Sequence, residues 1–191
     1  GGDGNDRLDG GLDGDELWGD DLDNLFSGND ILVGFDGIDV LRGGKGEDQL
    51  SGGLGNDELF GGDEDDLIDA GPGNDLLDGG AGSDKLIAGV GSDNIYGDGL
   101  PGEVPIALHG PDVIIAGRKI IENQDTDGDV NSIHCSDAGG GNDLVYADVG
   151  NDSIFGRDGD DTIHALRGND FVDGGWGADT IYASFGMTGD G

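Results

Sequence analysis

Over much of this 191-residue chain an aspartate returns every ninth residue, preceded by glycines and followed two places later by an aliphatic residue. Gly43-Gly44-Lys45-Gly46-Glu47-Asp48-Gln49-Leu50-Ser51 runs straight into Gly52-Gly53-Leu54-Gly55-Asn56-Asp57-Glu58-Leu59-Phe60, the pattern G-G-x-G-x-D-x-U-x with U aliphatic. A carboxylate at a fixed interval offers a hard oxygen ligand, the glycines allow a tight turn, and the aliphatic residue is the only core each unit owns. The aspartates are Asp6, Asp15, Asp30, Asp39, Asp48, Asp57, Asp66, Asp75, Asp84, Asp93, Asp112, Asp143, Asp152, Asp161, Asp170 and Asp179. Position eight is Leu, Ile or Val in every copy.

Position four loses its glycine to Asp13 in one copy and to Glu64 in another. Position two is looser, with Phe26, Phe35, Leu108, Asp148, Arg157 and Leu166. The copies fall in four runs. Residues 1–18 hold two, 19–24 interrupt them, and 25–96 hold eight without a slip. A linker at 97–106 carries Pro101 and Pro105, one isolated copy fits 107–115, and a longer linker covers 116–137. Five more copies span 138–182, and a degenerate tail follows with Thr188 where aspartate belongs. The expected organisation is therefore N-terminal repeats at 1–96, an insertion at 97–137, and C-terminal repeats with the tail at 138–191.

The charge balance, 8 Lys+Arg against 43 Asp+Glu, leaves a formal net charge of −35 at pH 7. With 34% hydrophobic residues and 44 glycines, apolar burial alone is a poor match for self-repulsion and backbone entropy. A divalent cation with a preference for oxygen is the candidate that neutralises the carboxylates. Nucleic acid and anionic membrane surfaces would be repelled by the same charge unless bridged by cations, so no nucleic-acid partner is expected. No apolar stretch reaches 18 residues, so no transmembrane helix or membrane insertion is expected. The sequence shows no initiating Met, signal peptide or basic leader. Its one cysteine, Cys135, rules out an internal disulfide framework and reads as a lone loop thiol.

Nine residues are too few for a helix–turn–helix unit, and this glycine density would break a helix interior. A turn of about six residues followed by a three-residue strand fits the repeat. In x-U-x the aliphatic side chain points to one face and its neighbours to the other. Two repeats then make one coil, with a strand in each of two opposed parallel sheets and Leu50, Leu59, Ile68 and Leu77 buried between them. At about 4.8 Å per coil, eight coils extend roughly 38 Å. Such a solenoid is quasi-one-dimensional, each unit leaning on its neighbours.

The arrangement resembles the RTX β-roll family, calcium-dependent proteins secreted by bacteria, over about three quarters of the chain. The resemblance implies an all-β fold, a right-handed parallel β-roll solenoid with two repeats per coil and loop insertions. It also implies several Ca²⁺ ions held between turns on one edge, that is, between repeats n and n+2. One site would use the Asp48 carboxylate with the carbonyls of Gly44 and Gly46, facing the Asp66 carboxylate with the carbonyls of Gly61 and Asp63. Those six oxygens suit Ca²⁺. Equivalent carbonyls lie at Gly53, Gly55, Gly71, Gly73, Gly80 and Gly82. The carboxylate pairs implied are Asp30/Asp48, Asp48/Asp66 and Asp66/Asp84 on one edge, and Asp39/Asp57, Asp57/Asp75 and Asp75/Asp93 on the other. In the C-terminal run they are Asp143/Asp161, Asp161/Asp179 and Asp152/Asp170. The competing reading is that the aspartates cap turns through their own backbone amides. With calcium as ligand, folding is metal-linked, and chelation is expected to remove most of the β signal.

Within the linker 116–137, Asp125, Asp127 and Asp129 alternate as calcium-loop oxygens do, although the glycine and Glu positions of an EF-hand are not matched. A further calcium loop and a solvated acidic loop are both open there. His109, His134 and His164 are far apart in sequence, and no HExxH, GxSxG or phosphate loop occurs. His134 beside Cys135 lacks the other ligands of a zinc site. No enzyme activity is expected. Trp18, Phe60, Tyr96, Tyr146, Phe155, Trp176 and Tyr182 stand at outward positions, as a sugar-stacking stripe or as cover for the sheets.

The expected role is a structural, calcium-binding part of a larger extracellular or cell-surface protein of bacterial origin. Its partners would be the rest of a longer chain or neighbouring subunits of an extracellular assembly, because Gly1 opens a repeat and Gly191 closes a degenerate one. Alternatives are a polysaccharide-binding repeat module, a surface-layer or filament subunit, and the repeat tail of a secreted enzyme or toxin.

Overall fold

In a computed structural model, residues 1–20, 27–97, 113–115, 132–134, 142–147, 151–165 and 168–183 are described. The N-terminal strands are β1 (Arg7–Leu12), β2 (Glu16–Trp18), β3 (Ile31–Asp36), β4 (Val40–Lys45), β5 (Gln49–Leu54) and β6 (Glu58–Asp63). Next come β7 (Leu67–Pro72), β8 (Leu76–Ala81), β9 (Lys85–Val90), β10 (Asn94–Tyr96), β11 (Val113–Ile115) and β12 (Ser132–His134). The last are β13 (Leu144–Tyr146), β14 (Ser153–Phe155), β15 (Thr162–Ala165), β16 (Phe171–Asp173) and β17 (Thr180–Ala183). Odd-numbered strands form a 9-stranded sheet and even-numbered strands an 8-stranded one, each in sequence order and parallel throughout. The chain thus alternates between two opposed sheets, completing one coil for every two repeats. Among the described residues no helix is long and apolar enough to cross a membrane.

Parallel strands buried on one face need a continuous apolar column, and position eight supplies it. Leu32, Leu41, Leu50, Leu59, Ile68, Leu77, Leu86, Ile95, Ile114, Ile133, Val145, Ile154 and Ile163 are at most 2% exposed and pack as one cluster. Position one adds a second buried layer of small residues, Ala70, Ala88, Ala147 and Ala165. Larger side chains are excluded from that layer: a β-carbon on Gly52 would lie 2.6 Å from Oδ2 of Asp57 and 2.7 Å from the Ala70 carbonyl.

Strands of the central run are longer than the expected triplet. β5 continues through Gly52, Gly53 and Leu54 because Phe35 pairs with Gly53 and Asp36 with Leu54 in the ladder. The first half of each turn there is hydrogen-bonded sheet. Triplets do occur farther on, at β13, β14 and β16.

The insertions leave the sheets intact. Arg7 pairs with Ile31 across the first interruption, Lys85 with Val113, and Asn94 with Ser132. The segment 116–137, read from sequence as a linker, contains β12 with Ile133 fully buried. Counting back from Ile133 puts Asn131 at position six, so a frame built on aspartate passes over this copy. The same frame puts Asp127 and Asp129 at positions two and four of that repeat.

Candidate metal centre

Along the central run the turns deliver their position-six aspartates to the interior side of an edge. Asp30, Asp39, Asp48, Asp57, Asp66 and Asp75 are all at most 4% exposed. Their two carboxylate oxygens have separate fates. Oδ1 accepts the backbone N–H of the equivalent aspartate one coil earlier: Asp48 from Asp30 at 2.7 Å, Asp66 from Asp48 at 2.8 Å, and Asp84 from Asp66 at 2.8 Å. On the opposite edge Asp57 accepts from Asp39 at 2.9 Å, Asp75 from Asp57 at 2.8 Å, and Asp93 from Asp75 at 2.8 Å. The series begins with Asp30 accepting from Asp6 and Asp39 from Asp15. It resumes with Asp161 accepting from Asp143, Asp170 from Asp152 and Asp179 from Asp161. The amide capped belongs to the neighbouring coil, whereas the competing reading assigned these carboxylates to their own turns.

Oδ2 of Asp30, Asp39, Asp48, Asp57, Asp66, Asp75 and Asp161 is buried with no hydrogen-bond partner among the described residues. A buried carboxylate oxygen left unmatched is costly, and native interiors seldom leave such groups unsatisfied. The acidities carry that cost. Burial, opposed by the hydrogen bond from the preceding coil and reinforced by neighbouring carboxylates, raises Asp48 from 3.8 to about 7 and Asp75 to about 7. It pushes Asp66 to about 9. Asp30, Asp57 and Asp161 are raised for the same first reason. A cation reverses each of these penalties at once.

Backbone oxygens line the same edges. A β-carbon on Gly62 would strike the Gly44 carbonyl, one on Gly71 the Gly53 carbonyl, and one on Gly73 the Gly55 carbonyl. Gly80 and Gly82 bear the same relation to the carbonyls of Gly62 and Glu64, and Gly46 to that of Gly28. The Asp63 carbonyl accepts the Gly46 N–H at 3.2 Å, and the Gly61 carbonyl lies by Gly43. Carbonyls at positions two and four therefore face the next coil in columns beside the aspartates. No group of three or more His, Cys, Asp or Glu side chains is placed to hold a metal among the described residues. A site here must draw on carbonyls as well as carboxylates, and partnerless carboxylate oxygens beside columns of carbonyls fit Ca²⁺.

Position five, treated as variable in sequence, forms a second ladder of opposite sense. The side-chain oxygen of Asn56 accepts the N–H of Asn74 one coil later at 2.9 Å, and Asn74 accepts from Ser92 at 2.8 Å. Asn5 serves Asn29, Asp65 serves Ser83, Asn142 serves Asp160, and Asn151 serves Asn169. Position six thus reaches back one coil and position five reaches forward. The recurrence of Asn and Asp just before the invariant aspartate is the signal for it.

Asp112 and the loop residues Asp125, Asp127 and Asp129 lie outside the described residues. The outward aromatics divide between two faces and do not make one stripe. On the even sheet the Arg42 guanidinium lies 5.1 Å from the Trp18 ring centroid and 4.1 Å from that of Phe60. On the odd sheet His164 stacks between Tyr146 and Tyr182, each centroid 4.6 Å away.

The family model for the RTX calcium-binding nonapeptide repeat matches residues 1–26, 24–59, 51–86, 69–99, 137–172 and 155–186. No curated protein matches the chain.

Proposed function

Because the chain belongs to the RTX calcium-binding nonapeptide repeat family, whose repeats bind several Ca²⁺ ions along a run, we propose that it is the calcium-folded structural segment of a larger secreted or cell-surface bacterial protein, without catalytic activity of its own. The observation that carries this reading is the file of buried, partnerless Oδ2 atoms from Asp30 to Asp75. Bound calcium supplies the positive charge that those atoms and the inter-coil carbonyls lack. Asp48 and Asp66 would hold one ion with carbonyls of the Gly44–Gly46 and Gly61–Asp63 turns. The same pairing would repeat at Asp30/Asp48, Asp39/Asp57, Asp57/Asp75, Asp66/Asp84, Asp75/Asp93, Asp143/Asp161, Asp152/Asp170 and Asp161/Asp179.

Low calcium leaves a chain of net charge −35 expanded and fit for export, and millimolar calcium outside the cell folds it. The remainder of a longer chain, or neighbouring subunits, would then cover the solenoid ends. Calcium titration followed by circular dichroism and calorimetry, with magnesium as control, tests the proposal. A cooperative gain of β signal with several Ca²⁺ per chain is expected. A chain equally folded in excess EDTA, or one responding alike to magnesium, would overturn it.

A further inference from the structure

The first interruption of the repeat holds a carboxylate that the nine-residue pattern does not call for. Trp18 pairs with Arg42, so the chain leaving β2 carries Gly19 and Asp20 over Gly43 and Gly44. Backbone bonds fix this overlay: Gly19 N–H donates to the Arg42 carbonyl at 2.8 Å and Asp20 N–H to the Gly43 carbonyl at 3.1 Å. Asp20 consequently occupies position two of a turn whose position six is Asp30. Elsewhere a position-two glycine such as Gly62, Gly71, Gly80 or Gly89 has the preceding coil's backbone carbonyl as its nearest neighbour. At Gly44 the nearest atoms are the side chain of Asp20, with Cβ and Oδ2 both 2.7 Å from where a β-carbon would stand. A charged oxygen has taken the place of a carbonyl in the column between coils.

Asp20 is only 4% exposed. Oδ2 accepts the Lys45 N–H at 2.7 Å, while Oδ1 is buried without a hydrogen-bond partner. Capping the Lys45 amide needs one neutral acceptor, which asparagine would provide without burying a charge. The second oxygen needs another reason. In the same turn Asp30 Oδ2 is also buried and partnerless, and it converges with the Gly43 carbonyl on the open side of Gly19. Asp20 is close enough for its charge to act on both Asp30 and Asp48.

We propose that Asp20 is an additional calcium ligand, replacing a carbonyl in the gap that Gly19, Asp20 and Asp30 form with residues 43–48. The proposal rests on the calcium reading above. Ligand charge sets calcium affinity, so a gap where the Asp20 carboxylate stands in for a carbonyl binds more tightly than one lined there by carbonyls, and it fills first.

Trp18 offers a local reporter. In a W176F background, which removes an indole that is 81% exposed in the last coil, terbium emission excited through tryptophan reads the gap beside Trp18. D20N keeps an acceptor for the Lys45 amide and loses the charge. D36N, at an exposed position three on the opposite edge, makes the same change in net charge. D20N is expected to raise the half-saturating terbium concentration on the order of tenfold, with D36N unchanged. The charge-retaining D20E is expected to recover part of that loss, which keeps the test informative if D20N folds poorly. Coincident terbium midpoints for D20N, D20E and D36N, with full β signal at saturating calcium, would overturn the role of Asp20 alone. Absence of calcium-dependent folding in the unsubstituted chain would instead overturn the reading beneath it.

Discussion

Acidification without calcium is expected to fold the chain. Asp48, Asp66 and Asp75 rise from 3.8 to about 7, 9 and 7 in the folded state, chiefly through burial. A raised folded pKa means that the folded state holds protons the unfolded chain has released. The stabilisation is complete below 3.8 and is lost as pH climbs through about 7 to 9. At about 1.4 kcal/mol per proton and pH unit, two such protons at pH 7 and nearly three at pH 5 make the metal-free fold gain roughly 3–4 kcal/mol for each unit that pH falls. Two units then supply a free energy comparable with a whole domain's stability, about 5–15 kcal/mol. Chelated protein, expanded at pH 8, should therefore acquire β circular dichroism with a midpoint above pH 5. General neutralisation of ordinary carboxylates would place the midpoint near pH 4 instead. Calorimetry in two buffers of different ionisation heat supplies the proton count. Calcium binding near pH 8 should release few protons, because the expanded chain is already ionised, whereas near pH 6 it must displace them. Chelated protein that stays expanded from pH 8 to 5, or folds without taking up protons, would refute the assignment of these carboxylates as buried and uncompensated.

Other expectations concern single positions, each measured by urea unfolding at saturating calcium. Leu59→Ala opens a cavity in a fully buried column and should cost about 2–5 kcal/mol. Gly62→Ala places a β-carbon against the Gly44 carbonyl at a φ of 130°, so at least about 1–3 kcal/mol and one bound ion should be lost. Asn74→Ala removes the side-chain oxygen that accepts the Ser92 N–H and should cost about 0.5–1.5 kcal/mol with calcium stoichiometry unchanged. Phe35→Gly relieves a left-handed residue at φ 78° and should stabilise by about 1 kcal/mol.

The period made the core and the two carboxylate-lined edges legible, because position eight has one apolar job and position six one polar job in every copy. Less was legible where one residue type serves two ends. β12 escaped notice since Asn131 stands where aspartate marks the other copies, although Ile133 kept the apolar signal. The forward-reaching ladder of Asn56 and Asn74 escaped because Asn, Asp, Ser, Glu and Ile all occur at position five, so the column looks variable. Asp20 lies in an interruption, where a nine-residue frame assigns no positions at all. The aromatics divide by parity: Trp18 and Tyr146 share position nine, yet they stand on opposite sheets.

Parity also bears on how such a chain can lengthen. Register advances by 18 residues, as from Asp48 to Asp66. A genetic duplication of nine residues would keep every leucine inside and every aspartate on an edge, yet it would transfer all later strands to the opposite sheet. The Trp18–Arg42–Phe60 and Tyr146–His164–Tyr182 columns would be cut wherever the duplication fell within them. An 18-residue duplication leaves every face as it was. Stacked side chains on the sheet surfaces therefore survive growth by whole coils and are broken by growth in half coils.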